Sequence, residues 1–171
     1  MSMDFFSSQA ESLSALFAPR AIAVVGASAN AQKIGGIPVD YQRRFGFDGP
    51  LYPVNPNAER IQELPAFASL RAIGQPVDLA ILAVPSALVD GALDDAIAAG
   101  VKGVVLFSSG FAEVGAEGAA AQARLGDKAR AAGVRLVGPN CLGFMNIARH
   151  VYATFSPAPS RPSRTAARSW S

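Results

Sequence analysis

One loop of this sequence has residue types that suit the binding of a phosphate. After a short apolar run, residues 26–36 read GASANAQKIGG and open a predicted helix. Small residues let a phosphate approach backbone N–H groups, and the dipole of the following helix favours an anion. Lys33 is the only cation of this loop and is long enough to reach such a phosphate. The candidate residues here are Gly26, Ala27, Ser28 and Lys33.

This first loop matches neither of the two familiar glycine-rich phosphate motifs. The dinucleotide motif G-x-G-x-x-G fails because Ser28 and residues 30–31 occupy the places of its later glycines. A P-loop would need Gly-Lys-Ser or Gly-Lys-Thr, and neither occurs in the chain. The loop alone therefore indicates a nucleotide-like ligand, with an ordinary strand-to-helix turn and a solvated lysine as the alternative.

Polar and small residues also follow each of the other four predicted strands. Parallel strands bring such loops to one edge of a sheet, where α/β proteins bind ligands. The hydroxyls at 108–109 suit hydrogen bonds to a polar ligand, and the Asn140 amide can both donate and accept. Ordinary turn chemistry explains the same residues one loop at a time. These candidates are Val54, Asn55, Pro56, Val84, Pro85, Ser86, Ser108, Ser109, Gly110, Asn140 and Cys141.

Two of these loops bear on which nucleotide would bind. An NAD site usually has Asp or Glu at the end of the second strand, where the carboxylate holds the ribose hydroxyls. No acid follows Val54 before Glu59, which counts against NAD. Pro85 offers a flat apolar wall to an adenine ring; alternatively, it only ends its strand while Ser86 caps the next helix.

Covalent and metal chemistry have little support in this sequence. Cys141 is the only cysteine and has no obvious histidine partner, so a buried structural thiol is favoured over a nucleophile. His150 is the only histidine, which leaves no cluster for a metal site or a Ser-His-Asp triad. We therefore predict a binding site without catalytic residues and without a metal.

The elements that position these loops follow from an alternation of apolar runs and helical patterns. Short β-branched runs bounded by Gly or Pro predict strands that are buried on both faces. The predicted strands are 21–26, 50–54, 77–84, 103–107 and 134–138, and the predicted helices are 5–17, 35–45, 86–99 and 116–132. This β-α-β-α order predicts a Rossmann-like, doubly wound α/β fold with a mainly parallel sheet of five to six strands.

The composition indicates a single domain and argues against several other classes of protein. Half of the 171 residues are hydrophobic and 16% are charged, which is unlike a disordered chain. No run of 18 apolar residues predicts a membrane span, and a single cysteine suits a reducing cytoplasm. Residues 151–171 contribute +3 to a net charge of +2, so residues 1–150 sum to −1 and do not predict nucleic-acid binding.

Three segments are expected along the chain. They are an N-terminal helix at 1–17, the Rossmann-like domain at 18–156 and a disordered tail at 157–171. The tail is rich in Pro, Ser, Ala and Arg and has no apolar periodicity. Such a tail is expected where a reading frame has been truncated or shifted.

Taken together, the loops resemble those of one known family. The segments are AIAVVGAS followed by Gly35 and Gly36, YPVNPN, DLAILAVPS, GVKGVVLFSSGFAE and VGPNCLGFMN. No one segment is specific, but five in this order, each at a strand end, are highly specific. From about Leu16 to Ser156 the chain resembles the CoA-binding domain of NDP-forming acyl-CoA synthetases. This family includes ADP-forming acetyl-CoA synthetase and the α subunit of succinyl-CoA synthetase.

The resemblance implies that coenzyme A (CoA) lies across the strand ends. By this resemblance, residues 26–28 line the nucleotide phosphates and residues 54–56 border them. Residues 84–86 flank the adenosine or the pantetheine, and residues 108–110 contact the pantetheine arm. Residues 140–141 lie near the reactive thiol. The first loop of this chain has fewer glycines than that of the succinyl enzyme.

The resemblance also implies a reaction and further partners. Family members catalyse acyl-CoA + NDP + phosphate ⇌ carboxylic acid + CoA + NTP, through an acyl phosphate and a phosphohistidine. The phosphohistidine and the ATP-grasp nucleotide site would lie in other domains or subunits, because His150 does not match the phosphorylated histidine. This chain is then expected to be a cytoplasmic binding module that takes CoA or acyl-CoA and works with those partners.

Other functions remain as alternatives. One alternative is a stand-alone CoA-binding protein with a regulatory or carrier role, although small relatives of that kind typically lack the GPNCLG turn. A second alternative is a fragment of an NAD(P)-dependent oxidoreductase, although the dinucleotide motif and the acid after the second strand are absent. The equivalent region of a protein acetyltransferase is a related alternative. Self-association into a homo-oligomer is compatible with each of these functions.

Overall fold

A five-stranded parallel sheet is the central element of the structure. The computed structural model describes residues 13–158. Its strands are β1 (Ile22–Val25), β2 (Leu51–Val54), β3 (Arg60–Ile61), β4 (Leu64–Pro65), β5 (Leu79–Leu82), β6 (Gly103–Leu106), β7 (Arg135–Val137), β8 (Gly143–Asn146) and β9 (Val151–Thr154). Its helices are α1 (Ile37–Phe45), α2 (Ser86–Ala98) and α3 (Ala116–Ala131), with 3₁₀ turns at Arg71–Ile73, Ala112–Val114 and Ile147–Arg149.

The order of strands in the sheet is β2-β1-β5-β6-β7, and every neighbouring pair is parallel. The predicted doubly wound, parallel α/β sheet is therefore confirmed, with five strands. Each of the five predicted strand segments contains one strand of this sheet. Their carboxyl ends, with the loops singled out above, lie along the same edge.

The two faces of the sheet pack against different layers. On one face, Leu82 packs with Val89 and Leu93 of α2. On the other face, Ile81 packs with Val39 of α1, and β9 joins this layer. These side chains are at most 1% exposed, so the sheet is buried on both faces. Burial on both faces explains why its strands are continuously apolar.

The ends of the helices follow the predicted signals with one exception. Gly100 and Gly133 lie just beyond α2 and α3 with φ of +76° and +69°, the left-handed conformation predicted at these stops. Ser86 was expected to cap α2, and this prediction is wrong. Ser86 is the first helical residue, Pro85 holds the N-cap position, and the α2 start has no side-chain cap.

Both chain ends extend beyond the described residues. Residues 13–17 are helical, and the rest of the helix predicted at 5–17 lies outside the described part. The tail predicted at 157–171 also lies outside it, apart from residues 157–158. The amide of Ala158 donates to the hydroxyl of Tyr41, 3.2 Å away, so the chain still contacts α1 there. The boundaries at 18 and 156 stay predictions.

Two antiparallel hairpins, β3–β4 and β8–β9, were not predicted. The first is only two residues long on each side, and its turn residues Gln62 and Glu63 have positive φ. Such a turn is usually marked by Asn-Gly or a similar pair, so no local signal pointed to it. Both hairpins pack residues against the α1 face of the sheet, among them Ile61 and Val151.

An ion pair joins the amino-terminal ends of β1 and β5. The guanidinium of Arg20 donates to both carboxylate oxygens of Asp78 at 2.9 Å, and its backbone amide donates to one of them at 2.8 Å. The side chain of Asp78 is only 15% exposed. The hydrogen bonds from Arg20 lower the pKa of Asp78, which means that folding favours its ionised form.

We expect Asp78→Asn to lower the free energy of unfolding by about 1–2 kcal/mol near neutral pH, because a charged hydrogen-bond acceptor is lost. The pKa of Asp78 is lower in the folded state than in the unfolded state. The contribution of Asp78 to the free energy of unfolding is therefore present above the unfolded pKa of about 4, and it disappears as the pH falls through the folded-state pKa. Urea unfolding at several pH values measures this. Asp127→Asn, in an exposed pair with Arg130, is the control and should change little. A difference between Asp78→Asn and wild type that is independent of pH would contradict this account.

Candidate functional site

The crevice of this sheet lies where the winding direction changes, between β1 and β5. The loop after β1 leads to α1 on one face, and the loop after β5 leads to α2 on the other face. Sheets of this topology bind ligands at such a switch point. Here Gly26 has φ +79°, and a Cβ built on it would overlap the carbonyl oxygen of Ala83. Only glycine meets both conditions, so its presence keeps the two loops in close contact.

The first amides of the loop 26–36 are used within the protein. Those of Gly26 and Ala27 both donate to the carbonyl of Val54, at 3.0 and 3.2 Å, and that of Ser28 donates to Gly35 at 3.2 Å. These bonds tie the start of the loop to β2 and to the end of the loop itself. The backbone amides at 26–28 are therefore occupied by internal acceptors, and the sequence did not reveal this.

The middle of the same loop is more open. The hydroxyl of Ser28 accepts from Asn30, and the Asn30 side chain accepts from Gln32. Of the amides from 26 to 33, those of Ala29 and Ala31 are the ones with no acceptor within residues 13–158. Ala29, Ala31 and the predicted Lys33 are all exposed residues, so this stretch lies at the surface and carries one cation.

In the loop after β2, the side chain of Asn55 supports the first loop through internal hydrogen bonds. The Asn55 side chain donates to the carbonyl of Ala27 at 2.9 Å and accepts from the amide of Asn57 at 2.9 Å. Both ends of this amide group are thus engaged, as the turn interpretation of Asn55 expected. Val54 is buried and Pro56 is exposed beside it.

The loops after β5 and β6 contact one another. The hydroxyl of Ser108 donates to the carbonyl of Val84 at 2.5 Å. A Cβ built on Gly110 would lie 3.2 Å from the hydroxyl oxygen of Ser86, so these two loops meet at a second point. Pro85 and Ser109 are exposed between these contacts. The Ser109 hydroxyl makes no side-chain hydrogen bond in the described structure.

Glu113 holds the turn after β6 in place. Its carboxylate accepts from the amide of Gly110 at 2.5 Å, and this hydrogen bond lowers the pKa of Glu113. Glu113 therefore stays ionised at neutral pH and acts on the loop backbone.

The loop after β7 contributes one exposed and one half-buried residue. The amide of Asn140 donates to the carbonyl of Ser108 at 2.9 Å, which joins this loop to the one after β6. The side chain of Asn140 is exposed, and its φ of +51° is a conformation that asparagine tolerates. Cys141 is half-buried, and its thiol points to the carbonyls of Leu106 and Val137, 3.4 and 3.7 Å away. Burial raises the pKa of Cys141.

The structure therefore brings all five predicted loops together along one edge, each hydrogen-bonded to or packed against the next. Some predicted residues are exposed there, and others turn inward and support the loops. The exposed ones are Lys33, Pro56, Pro85, Ser86, Ser109, Gly110 and Asn140. Those with buried side chains or internal hydrogen bonds are Ala27, Val54, Asn55, Ser108 and Cys141.

Sequence reasoning missed Gln62, which lies in the turn of the β3–β4 hairpin. Its side-chain amide donates to the carbonyls of Ser28 and Gly36, at 3.0 and 2.9 Å. The prediction contained no strand between the second and third sheet strands, so nothing placed Gln62 near the first loop. His150 lies in an exposed turn before β9.

The fold and this edge define a nucleotide-type binding domain of the doubly wound α/β class. The family described as CoA binding domain matches residues 20–147, and the chain belongs to this family. The resemblance in the loops is thereby confirmed, and the family assignment supports coenzyme A as the bound molecule. No helix within residues 13–158 has the length and apolarity needed to cross a membrane.

Relatives at about 40% identity are larger proteins. ADP-forming acetate–CoA ligase II of Archaeoglobus fulgidus is 40% identical over 144 residues, which are 84% of this chain and 21% of that protein. The α subunit of ADP-forming acetate–CoA ligase II of Pyrococcus furiosus is 40% identical, over 81% of this chain and 30% of that subunit. Acetyl-coenzyme A synthetase 1 of Ca. Korarchaeum cryptofilum, solved with phosphate and ADP, superposes with a TM-score of 0.81 and 39% identity, over 86% of this chain and 31% of that one. The chain thus spans less than a third of each of them.

We expect Gly26→Ala to destabilise the protein more than Gly74→Ala does. Both glycines have positive φ, so an alanine at either position carries a similar backbone penalty of about 1–2 kcal/mol. Nothing lies within 4 Å of a Cβ at Gly74, whereas a Cβ at Gly26 overlaps Ala83. Chemical unfolding of both variants isolates the cost of this overlap. Equal losses would show that β1 and β5 do not need the close approach.

The thiol of Cys141 should react slowly in the folded protein. Because burial raises its pKa, a smaller fraction is thiolate at a given pH, and thiolate is the reactive form. We expect alkylation by iodoacetamide near pH 8 to be at least about tenfold slower than in the urea-unfolded chain, and to accelerate as the pH rises. Rates measured by mass spectrometry test this. A folded rate equal to the unfolded rate would mean that the thiol is exposed and ionised.

Proposed function

We propose that the chain binds CoA at the carboxyl edge of its sheet, as the CoA-binding part of an ADP-forming acyl-CoA synthetase. The observation that carries this proposal is the set of five loops resembling this family, which meet along one edge beside the β1–β5 switch point. The relatives named as ADP-forming acetate–CoA ligases support it, since they are 40% identical over more than four fifths of the chain.

The nucleotide phosphates of CoA bind to the middle of the first loop. Ala29 and Ala31 are exposed residues whose amides have no acceptor within residues 13–158, and Lys33 adds a positive charge in the same loop. Backbone amides in a turn, where they are not used by internal acceptors, favour the binding of an anion. Gly26, Ala27 and Ser28 shape this subsite through their backbone, because their own amides are already bonded.

The remainder of CoA extends towards the loops after β5, β6 and β7. Val84 and Pro85 supply an apolar wall, while Ser86 and Ser109 supply hydroxyls. Asn140 offers an exposed amide that can donate to and accept from the amides of pantetheine. Cys141 holds the fifth loop in shape from within, because its thiol is directed at internal carbonyls.

In this proposal the chain supplies binding, and other domains or subunits supply the chemistry. The Pyrococcus furiosus relative is an α subunit, which supports a partner subunit for this chain as well. The phosphohistidine and the nucleotide site belong to those partners, and no step is assigned to His150 or Cys141. The domain from 18 to 156 holds the CoA site, and the protein acts in the cytoplasm.

Isothermal titration tests the proposal directly. We expect CoA to bind, with no heat of binding from NAD⁺ or NADH, because an acid for the ribose hydroxyls is absent after β2. Ser109→Ala and Asn140→Gly should each weaken CoA binding by about fivefold to tenfold, the effect of one lost hydrogen bond. Glycine is chosen at 140 because it keeps the positive φ.

Ser14→Ala is the matched control for Ser109→Ala. Ser14 is exposed on the helical segment 13–17, whose Leu16 packs beside Gly103 at the amino-terminal end of β6. This variant should bind CoA as the wild type does. Binding of NAD⁺ in preference to CoA would overturn the proposal, as would the absence of CoA binding by the folded chain.

A further inference from the structure

We infer that Gln62 is a positioning residue, which holds the loop 26–36 in the conformation that receives the CoA phosphates. This inference rests on the proposed function of that loop. It starts from one side-chain amide that donates to two backbone carbonyls, those of Ser28 at 3.0 Å and Gly36 at 2.9 Å. These carbonyls lie near the two ends of the loop, so a single side chain joins both ends.

The loop between these two points is where an anion would bind. Ala29 and Ala31, whose amides have no acceptor within residues 13–158, lie between Ser28 and Gly36 in the chain. Movement of either end would change the direction of these amides. Loop amides that are held in place before binding lose less entropy when the ligand binds, so the two hydrogen bonds from Gln62 should raise affinity for CoA.

The hairpin that carries Gln62 is itself well anchored. Ile61, its neighbour, is 1% exposed and belongs to the core on the α1 face. Just after the hairpin, the amide of Phe67 donates to the carbonyl of Pro53 in β2, at 3.0 Å. Gln62 therefore extends from a rigid support to the loop.

The backbone of this turn has an unfavourable conformation that the rest of the hairpin maintains. Gln62 and Glu63 have φ of 47° and 69°, which residues with a side chain rarely adopt. Glu63 is held from two sides, since Arg43 pairs with its carboxylate at 2.8 Å and Arg60 donates to its carbonyl. Strain of this kind persists where surrounding contacts impose it, often beside functional sites. Here it directs the Gln62 amide at the first loop.

Gln62→Met tests the inference, because methionine has a similar length but no hydrogen-bond donor and no charge. Gln75→Met is the matched control, since Gln75 is an exposed glutamine in the loop before β5. In Gln62→Met we expect exchange of the hydrogen-bonded loop amides, those of Ser28, Gly36 and Ile37, to become at least about fivefold faster. We also expect CoA affinity to fall about tenfold. The midpoint of global unfolding should stay close to that of Gln75→Met.

The two readouts separate this inference from the proposed function. Unchanged exchange of the amides of Ser28, Gly36 and Ile37, or unchanged CoA affinity, would overturn the role of Gln62 while CoA binding by the wild type still stands. A uniform rise in exchange across the chain, with a lower unfolding midpoint, would also overturn it, because Gln62 would then be only structural. A third outcome is that Gln62→Met shows faster exchange only in the loop while the wild type binds no CoA. That result would support the role of Gln62 in holding the loop and would reject the proposed function.

Discussion

The close approach of β1 and β5 at their carboxyl ends is the constraint on which the site depends. The left-handed Gly26 leaves no space for a side chain against the carbonyl of Ala83. This contact starts the first loop towards α1 while β5 continues towards α2, so the crevice forms between two diverging chains. At the opposite edge, the Arg20–Asp78 ion pair joins the starts of the same two strands. The switch point is thus fixed at both ends of the strand pair.

The polar residues at this edge fall into two groups with different roles. Asn55 and Ser108 use their side chains to join neighbouring loops, and Glu113 braces the turn after β6 from within that turn. Ser109 and Asn140 leave their side chains exposed beside them. A site of this kind needs both groups, because loops without internal support would lose entropy on binding and so bind more weakly.

Much of the architecture could be predicted from local patterns. Five apolar runs became the five sheet strands, and Gly100 and Gly133 ended their helices as expected. Burial on both faces makes such strands continuously apolar, and left-handed glycine ends helices for a steric reason. The cap on α2 was wrong because Pro85 already holds the extended N-cap conformation, which makes Ser86 the first helical residue. The β3–β4 hairpin was missed because its turn has none of the usual residues.

The sequence by itself determined the fold class, the five loops and their family, because each depends on residue types at neighbouring positions. The tertiary structure decided which groups in those loops face a ligand. The amides of Gly26 and Ala27 are occupied by Val54, and Gln62 reaches Ser28 across 34 positions of the chain. Such bonds depend on how strands and hairpins pack in space, and hydrogen-bond partners that far apart leave no periodic or local signal in one sequence.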